Sequence, residues 1–197
     1  GSFTVDVTQA WNMDAPITAR LKEAGAVVLG KTSTPEFGCK AETNSPLTGI
    51  TRNPWNLTKT PGGSSGGASA AVSANLGPIG IGTDGAGSIR IPAAFCGNFG
   101  FKPSFGRVPA YPLSPCGTVA HLGPHTMSVE DAATTMNIIK KPDARDWASL
   151  PYDDKNYLRT LKEGVNGLKI AFSPNLGYVK NVDPEVAHKV AQAAKIF

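Results

Sequence analysis

One stretch constrains this chain more than any other. Residues 61–92 read PGGSSGGASAAVSANLGPIGIGTDGAGSIRIP. Two Gly/Ser clusters, 62–67 and 82–88, flank a small-residue run over 68–76 and a short apolar run over 79–82. The pattern predicts loop, helix, turn, strand, loop and helix start. Glycines let backbone N–H groups approach a ligand, because no Cβ intervenes and φ > 0 is allowed. A loop that runs into a helix N-terminus also offers unpaired donors and a positive dipole end. Three readings compete for such a tract. A Gly/Ser run is commonly a flexible linker. It can cradle phosphate, but neither cluster is followed by the Lys-Ser or Lys-Thr of a P-loop, and 82–87 only loosely imitates a dinucleotide fingerprint. In the third reading two loops meet beside a sheet, one supplying a nucleophile and oxyanion donors, the other a hydroxyl that relays its proton.

The ordered motifs carry a resemblance. Gly62-Gly63-Ser64-Ser65-Gly66-Gly67, then Gly82-Thr83-Asp84 to Gly87-Ser88-Ile89-Arg90, Pro92-Ala93 and Gly100-Phe101-Lys102-Pro103 resemble the amidase signature family. Ser64 and Ser88 keep the spacing of that family's two key serines, and weaker similarity extends over about 14–151. The resemblance implies an α/β fold, part of a mixed-sheet core with helices on both faces. It implies a Ser-Ser-Lys amide hydrolase working through an acyl-enzyme on a small amide, without a cofactor. Ser88 would be the nucleophile and Ser64 the bridging hydroxyl, preceded by a cis peptide bond from Gly63. The backbone N–H groups of Gly85, Ala86, Gly87 and Ser88 would meet the oxyanion, and Ser65 would support Ser64 or serve the fold alone. A serine hydroxyl needs such a base within reach, because alone it is a poor nucleophile near neutral pH.

Two departures from the family pattern matter. Ala86 stands where many relatives have Gly, so the loop must hold it at an ordinary φ. The family's lysine base normally precedes the region matching 14–30 in a Lys-Asp context, yet no Lys occurs before Lys22. The chain therefore reads as one partial domain over 1–197, truncated at both ends and inactive alone. The resemblance also leaves open the glutamine-hydrolysing subunit of a tRNA-dependent amidotransferase, which would need partner subunits, and a non-catalytic binding relative.

Composition narrows the rest. At 197 residues, 41% hydrophobic and 17% charged, the chain suits a folded enzyme rather than a disordered segment. A net charge of +4 with scattered Lys and Arg gives no basic block for nucleic acid. Cys39, Cys96 and Cys116 are too far apart for a zinc site or a disulfide framework and suit a cytoplasmic protein. No apolar run spans a bilayer, and no signal peptide is present. His121 and His125 stand at i and i+4, but Gly123-Pro124 breaks any shared helix face, so no metal is expected. A homo-oligomer stays open.

Local signals complete the reading. Asp14 is placed to cap a helix with Pro16 in its first turn, closed by Gly25, and 26–29 reads as a buried strand. Lys31, after that strand, reads as structural or surface. Trp55 reads as a packing anchor. Asp84 is expected to fix the turn that follows it, and Arg90 to pair with a local carboxylate or carbonyl. Residues 99–102 read as a further strand, Ser128 caps a helix running to about Ile139, and 158–163 is a short helix candidate. Residues 168–172 read as a strand, and Asp183 caps a last helix through Pro184.

Overall fold

The computed structural model describes residues 1–6 and 8–197, which divide into two compact units, Gly1–Leu158 and Arg159–Phe197. In chain order the elements are helix α1 (Pro16–Glu23), strands β1 (Asn44–Ser45) and β2 (Gly49–Ile50), and helix α2 (Gly66–Ser73). Strand β3 (Ile79–Asp84), helix α3 (Arg90–Cys96), and strands β4 (Phe99–Gly100) and β5 (His121–Thr126) follow. Helices α4 (Val129–Ile139), α5 (Tyr157–Thr160) and α6 (Pro184–Ala194) complete the order.

The α/β class is as expected. Both sheets among the described residues are antiparallel: a two-stranded β1-β2 pair and a three-stranded sheet in the order β3-β5-β4. In the larger sheet Ile79 faces Thr126 and Asp84 faces His121. β3 thus delivers its C-terminal end, and the loop after it, beside the start of β5. Helices α2 and α4 both pack on this sheet, and α2 also packs on α3.

The main apolar cluster joins Ile17 of α1 to Met136 and Ile139 of α4, with Val108. Leu21, Ile81 and Leu122 pack against it. Other buried residues pack on the sheet, Ala68 and Val72 of α2 beside Gly80 of β3, and Ile89 and Ala93 beside Gly100 of β4. Ser69 and Ser73 are the α2 side chains that reach α3, donating to the Pro92 and Cys96 carbonyls. Several end signals act as read. Gly25 takes φ +87 after α1, and its N–H reaches the Lys22 carbonyl at 2.9 Å. Ser128 Oγ accepts from Asp131 N–H at 3.0 Å and opens α4. Within its own unit, Asp183 accepts from the Glu185 and Val186 amides and opens α6.

Other expectations are corrected. The residue before α1 is Ala15, with no side-chain cap; Asp14 instead pairs with Lys22 Nζ at 2.8 Å. Residues 26–29 form no strand, and Val27 and Leu29 are 83% and 77% exposed. The 99–102 strand shortens to two residues and the 158–163 helix to α5. Residues 168–172 are likewise outside any strand. An apolar run becomes a strand only when another strand supplies its hydrogen bonds, and none among the described residues does so for 26–29 or 168–172.

Candidate active site

The first Gly/Ser cluster runs into the N-terminus of α2. Its glycines answer to the chain around them. A methyl group at Gly63 would sit 2.6 Å from the Glu42 carbonyl oxygen, so residue 63 must be bare for the two segments to touch. Thr43 is completely buried beside it. Its Oγ1 donates to the Gly62 carbonyl at 2.7 Å and accepts from Gly66 N–H at 3.1 Å, bracketing the serine pair. The Gly63–Ser64 peptide bond is cis, as the resemblance implied. Ser64 itself is buried to 5% exposure, and its Oγ lies 3.6 Å from where a Cβ at Gly38 would stand. The turn at Glu36–Gly38 therefore lies against this hydroxyl.

Ser65 faces the other way. Its Oγ donates to the Thr83 carbonyl and accepts from Thr83 N–H, each at 3.1 Å. That double bond fastens the start of α2 to β3. Ser65 N–H in turn donates to the Ser88 carbonyl at 3.2 Å. The two Gly/Ser clusters are thereby neighbours, and Ser64 and Ser88 lie on adjoining backbone segments. Among the described residues neither the Ser64 nor the Ser88 hydroxyl has a hydrogen-bond partner, and Ser88 is half-buried.

The loop after β3 is organised by Asp84, which is fully buried. Its Oδ1 accepts from Gly87 N–H at 2.7 Å, and its Oδ2 from Ile89 N–H at 3.2 Å and Arg90 N–H at 3.4 Å. Arg90 adds a bidentate pair, Nε to Oδ2 at 2.9 Å and Nη2 to Oδ1 at 3.0 Å. Burial alone would raise this carboxyl, but the guanidinium and the amides outweigh it and hold it at about 2. The Gly87 amide is thus turned inward onto Asp84. The amides of Gly85, Ala86 and Ser88 make no hydrogen bond among the described residues. Gly87 takes φ +120, whereas Ala86 stays out of the left-handed region, as its methyl requires.

Beneath the site lies a buried polar layer that sequence reasoning missed. Asn98 Nδ2 donates to the Ser69 carbonyl, Ser69 Oγ and Ser73 Oγ at 2.7–3.0 Å. With its amide so oriented, Asn98 Oδ1 accepts from His125 Nδ1 at 3.2 Å. His125 is fully buried, its Nε2 has no partner among the described residues, and burial pushes the imidazole down to about 4, with the Asp84 charge opposing. The two histidines lie along β5, and no group of three or more His, Cys, Asp or Glu among the described residues is placed to hold a metal. Trp55 is not the packing anchor expected, since it is 68% exposed; its Nε1–H donates to the Cys96 carbonyl at 2.6 Å. Thr43 had no readable signal, since its partners are far away in sequence. His121 was legible only as a metal candidate, although it faces Asp84 across the sheet.

The Amidase family model matches residues 3–197. The chain is 42% identical over 184 residues to a glutamyl-tRNA(Gln) amidotransferase subunit of Syntrophobacter fumaroxidans (strain DSM 10017 / MPOB), covering 93% of this chain and 38% of that protein. It is 47% identical over 187 residues to an acylamidase of Rhodococcus erythropolis, covering 93% of this chain and 39% of that one. Among solved structures, a bacterial aryl acylamidase superposes with TM-score 0.90 at 39% identity, covering 98% of this chain and 39% of that chain. A 6-aminohexanoate cyclic dimer hydrolase superposes with TM-score 0.84 at 38% identity, over 92% of this chain and 39% of that chain. The chain thus spans 38% or 39% of the length of each of these relatives.

Proposed function

The chain belongs to the amidase signature family, and from that premise we propose that it carries the serine pair of an amide hydrolase. Ser88 is the nucleophile. Ser64 takes its proton and passes it to a lysine amine supplied by residues outside this segment of a longer enzyme. Such a lysine must be neutral to accept the proton, which burial favours. The Ser88 oxygen bonds to the carbonyl carbon, and the oxyanion is met by the amides of Gly85, Ala86 and Ser88. The carbon–nitrogen bond then breaks as the relay returns a proton to the leaving nitrogen. Water, deprotonated by the same relay, releases the acyl group as a carboxylic acid and restores Ser88.

The observation that carries this reading is the Ser65 N–H to Ser88 carbonyl bond of 3.2 Å. It keeps the two serine loops side by side, with three unpartnered amides next to the second. Preorganised donors of this kind supply much of the catalysis in acyl transfer, typically about 3–4 kcal/mol each. The test is labelling by a serine-directed fluorophosphonate in the longest natural chain that contains these residues. Ser88 takes the label, and Ser88→Ala lowers amide kcat/KM by at least about 10³-fold. Ser64→Ala slows labelling while Ser88 remains the modified residue. Label on any other residue, or none, refutes the assignment.

A second reading is favoured by the 42% identity to an amidotransferase subunit. There the same serines release ammonia from glutamine for a partner protein. Copurification of partner subunits, with glutaminase activity that depends on them, would select this version over a free-standing amidase.

A further inference from the structure

Two side chains hold the loop after β3, and the Asp84 carboxylate is one of them. The other is His121. Its Nδ1 lies 2.8 Å from the Val119 carbonyl oxygen and 3.1 Å from the Asp84 carbonyl oxygen. Carbonyl oxygens can only accept. Nδ1 therefore carries a proton and shares it between the two. Phe105 meets the imidazole edge-on, with ring centres 6.0 Å apart and planes at 79°. The half-buried ring is thus fixed in position.

The Asp84 carbonyl and the Gly85 N–H belong to one peptide unit, which is trans. In a trans unit the two groups point in opposite directions. Holding the carbonyl toward His121 therefore directs the Gly85 amide away from it. The sheet pairs Asp84 with His121 at the last position of β3, and beyond it Gly85 has no Cβ to restrict the unit; the nearest atom to where one would stand is the Val119 carbonyl oxygen, 3.8 Å away. A turned unit would present a carbonyl oxygen where a donor is needed. On the Asp84 side of the loop the carboxylate fixes Gly87, Ile89 and Arg90 but makes no bond to Gly85.

We propose that His121 is a positioning residue that sets the direction of the Gly85 amide toward the oxyanion. The inference rests on the hydrolase reading for its chemistry and on the His121 geometry alone for its structure. Three variants in the longest natural chain test it. His121→Leu removes the donor, His121→Asn places an amide N–H near Nδ1, and His121→Gln places one near Nε2. The Leu and Gln variants lose about 10–100-fold in kcat, with KM within about twofold, and fluorophosphonate labelling slows by a similar factor. The Asn variant recovers most of the rate. Leu and Asn variants with equal loss, a Leu variant that matches the parent, or a loss confined to KM would each overturn the proposal.

Nitrogen-15 NMR reads the same geometry without turnover. A protonated Nδ1 is expected at His121, together with a Gly85 amide resonance that moves in the Leu variant. An unmoved Gly85 resonance overturns the inference even if the enzyme is active. A parent that is never labelled at Ser88 overturns the hydrolase reading and leaves the NMR result to decide the structural half.

Discussion

The Asp84 carboxylate is out of contact with solvent yet remains charged, because five donors converge on it. Removing an acceptor that several donors share costs the desolvation penalty of each donor left behind. Asp84→Ala would strand the Gly87, Ile89 and Arg90 amides, and about 3–5 kcal/mol of stability should be lost in urea unfolding. Arg90→Ala should cost only about 1 kcal/mol, since the Arg90 side chain is 55% exposed and the amides remain on Asp84. Equal losses for the two would show that the ion pair, not the amides, holds the loop. His125 predicts a pH dependence. Below its ordinary 6.5 the unfolded imidazole takes up a proton that the folded one refuses until about 4. Stability therefore falls as pH drops from 6.5 to 4 and is level above that window on account of this group. Asp84 adds a second loss at lower pH, between its ordinary 3.8 and about 2. His125→Met should flatten the first fall and leave the second. Superimposable stability curves for parent and variant would contradict the assignment.

At the scale of elements, Asn98 couples α2 to β5 through His125, while Ser69 Oγ and Ser73 Oγ go on to the Pro92 and Cys96 carbonyls of α3. Asn98→Ala leaves the His125 N–H without its partner, and a loss of about 1–3 kcal/mol is expected on denaturant unfolding. A loss below about 0.5 kcal/mol would mean that water replaces the amide. Elements whose signals lie within a few residues were legible in the sequence. Ser128 and Asp183 cap their helices, Gly25 ends α1, the alanine run becomes α2, and Asp84 locks its own turn onto Arg90. What escaped notice depends on contacts distant in sequence. Thr43 reaches Gly62 and Gly66, and His121 reaches Asp84, across intervals that no local pattern encodes. Residues 26–29 and 168–172 have strand-like composition, but a ladder is a property of two segments, so composition alone pointed to strands that do not form.

For the molecule as a whole, the exposed run at 26–29 borders an open cavity of about 850 Å³ that Leu76, Ile79 and Ile81 also line. Val27 and Leu29 lie largely exposed beside it, apolar surface that a dye can reach. As an isolated polypeptide the 197 residues should bind an environment-sensitive apolar dye, and the longest natural chain should bind less per molecule. Equal binding would mean that the cavity stays open in the larger protein. The single bond from the Ser65 amide to the Ser88 carbonyl has a different reach. It joins the two serine loops directly, so a shift of one is passed to the other. Differences in what such a site accepts must then arise from the segments around it, such as the Glu36–Gly38 turn, while the serine platform keeps its shape. Exchange of that one amide hydrogen with solvent would serve as a gauge of the whole site's integrity.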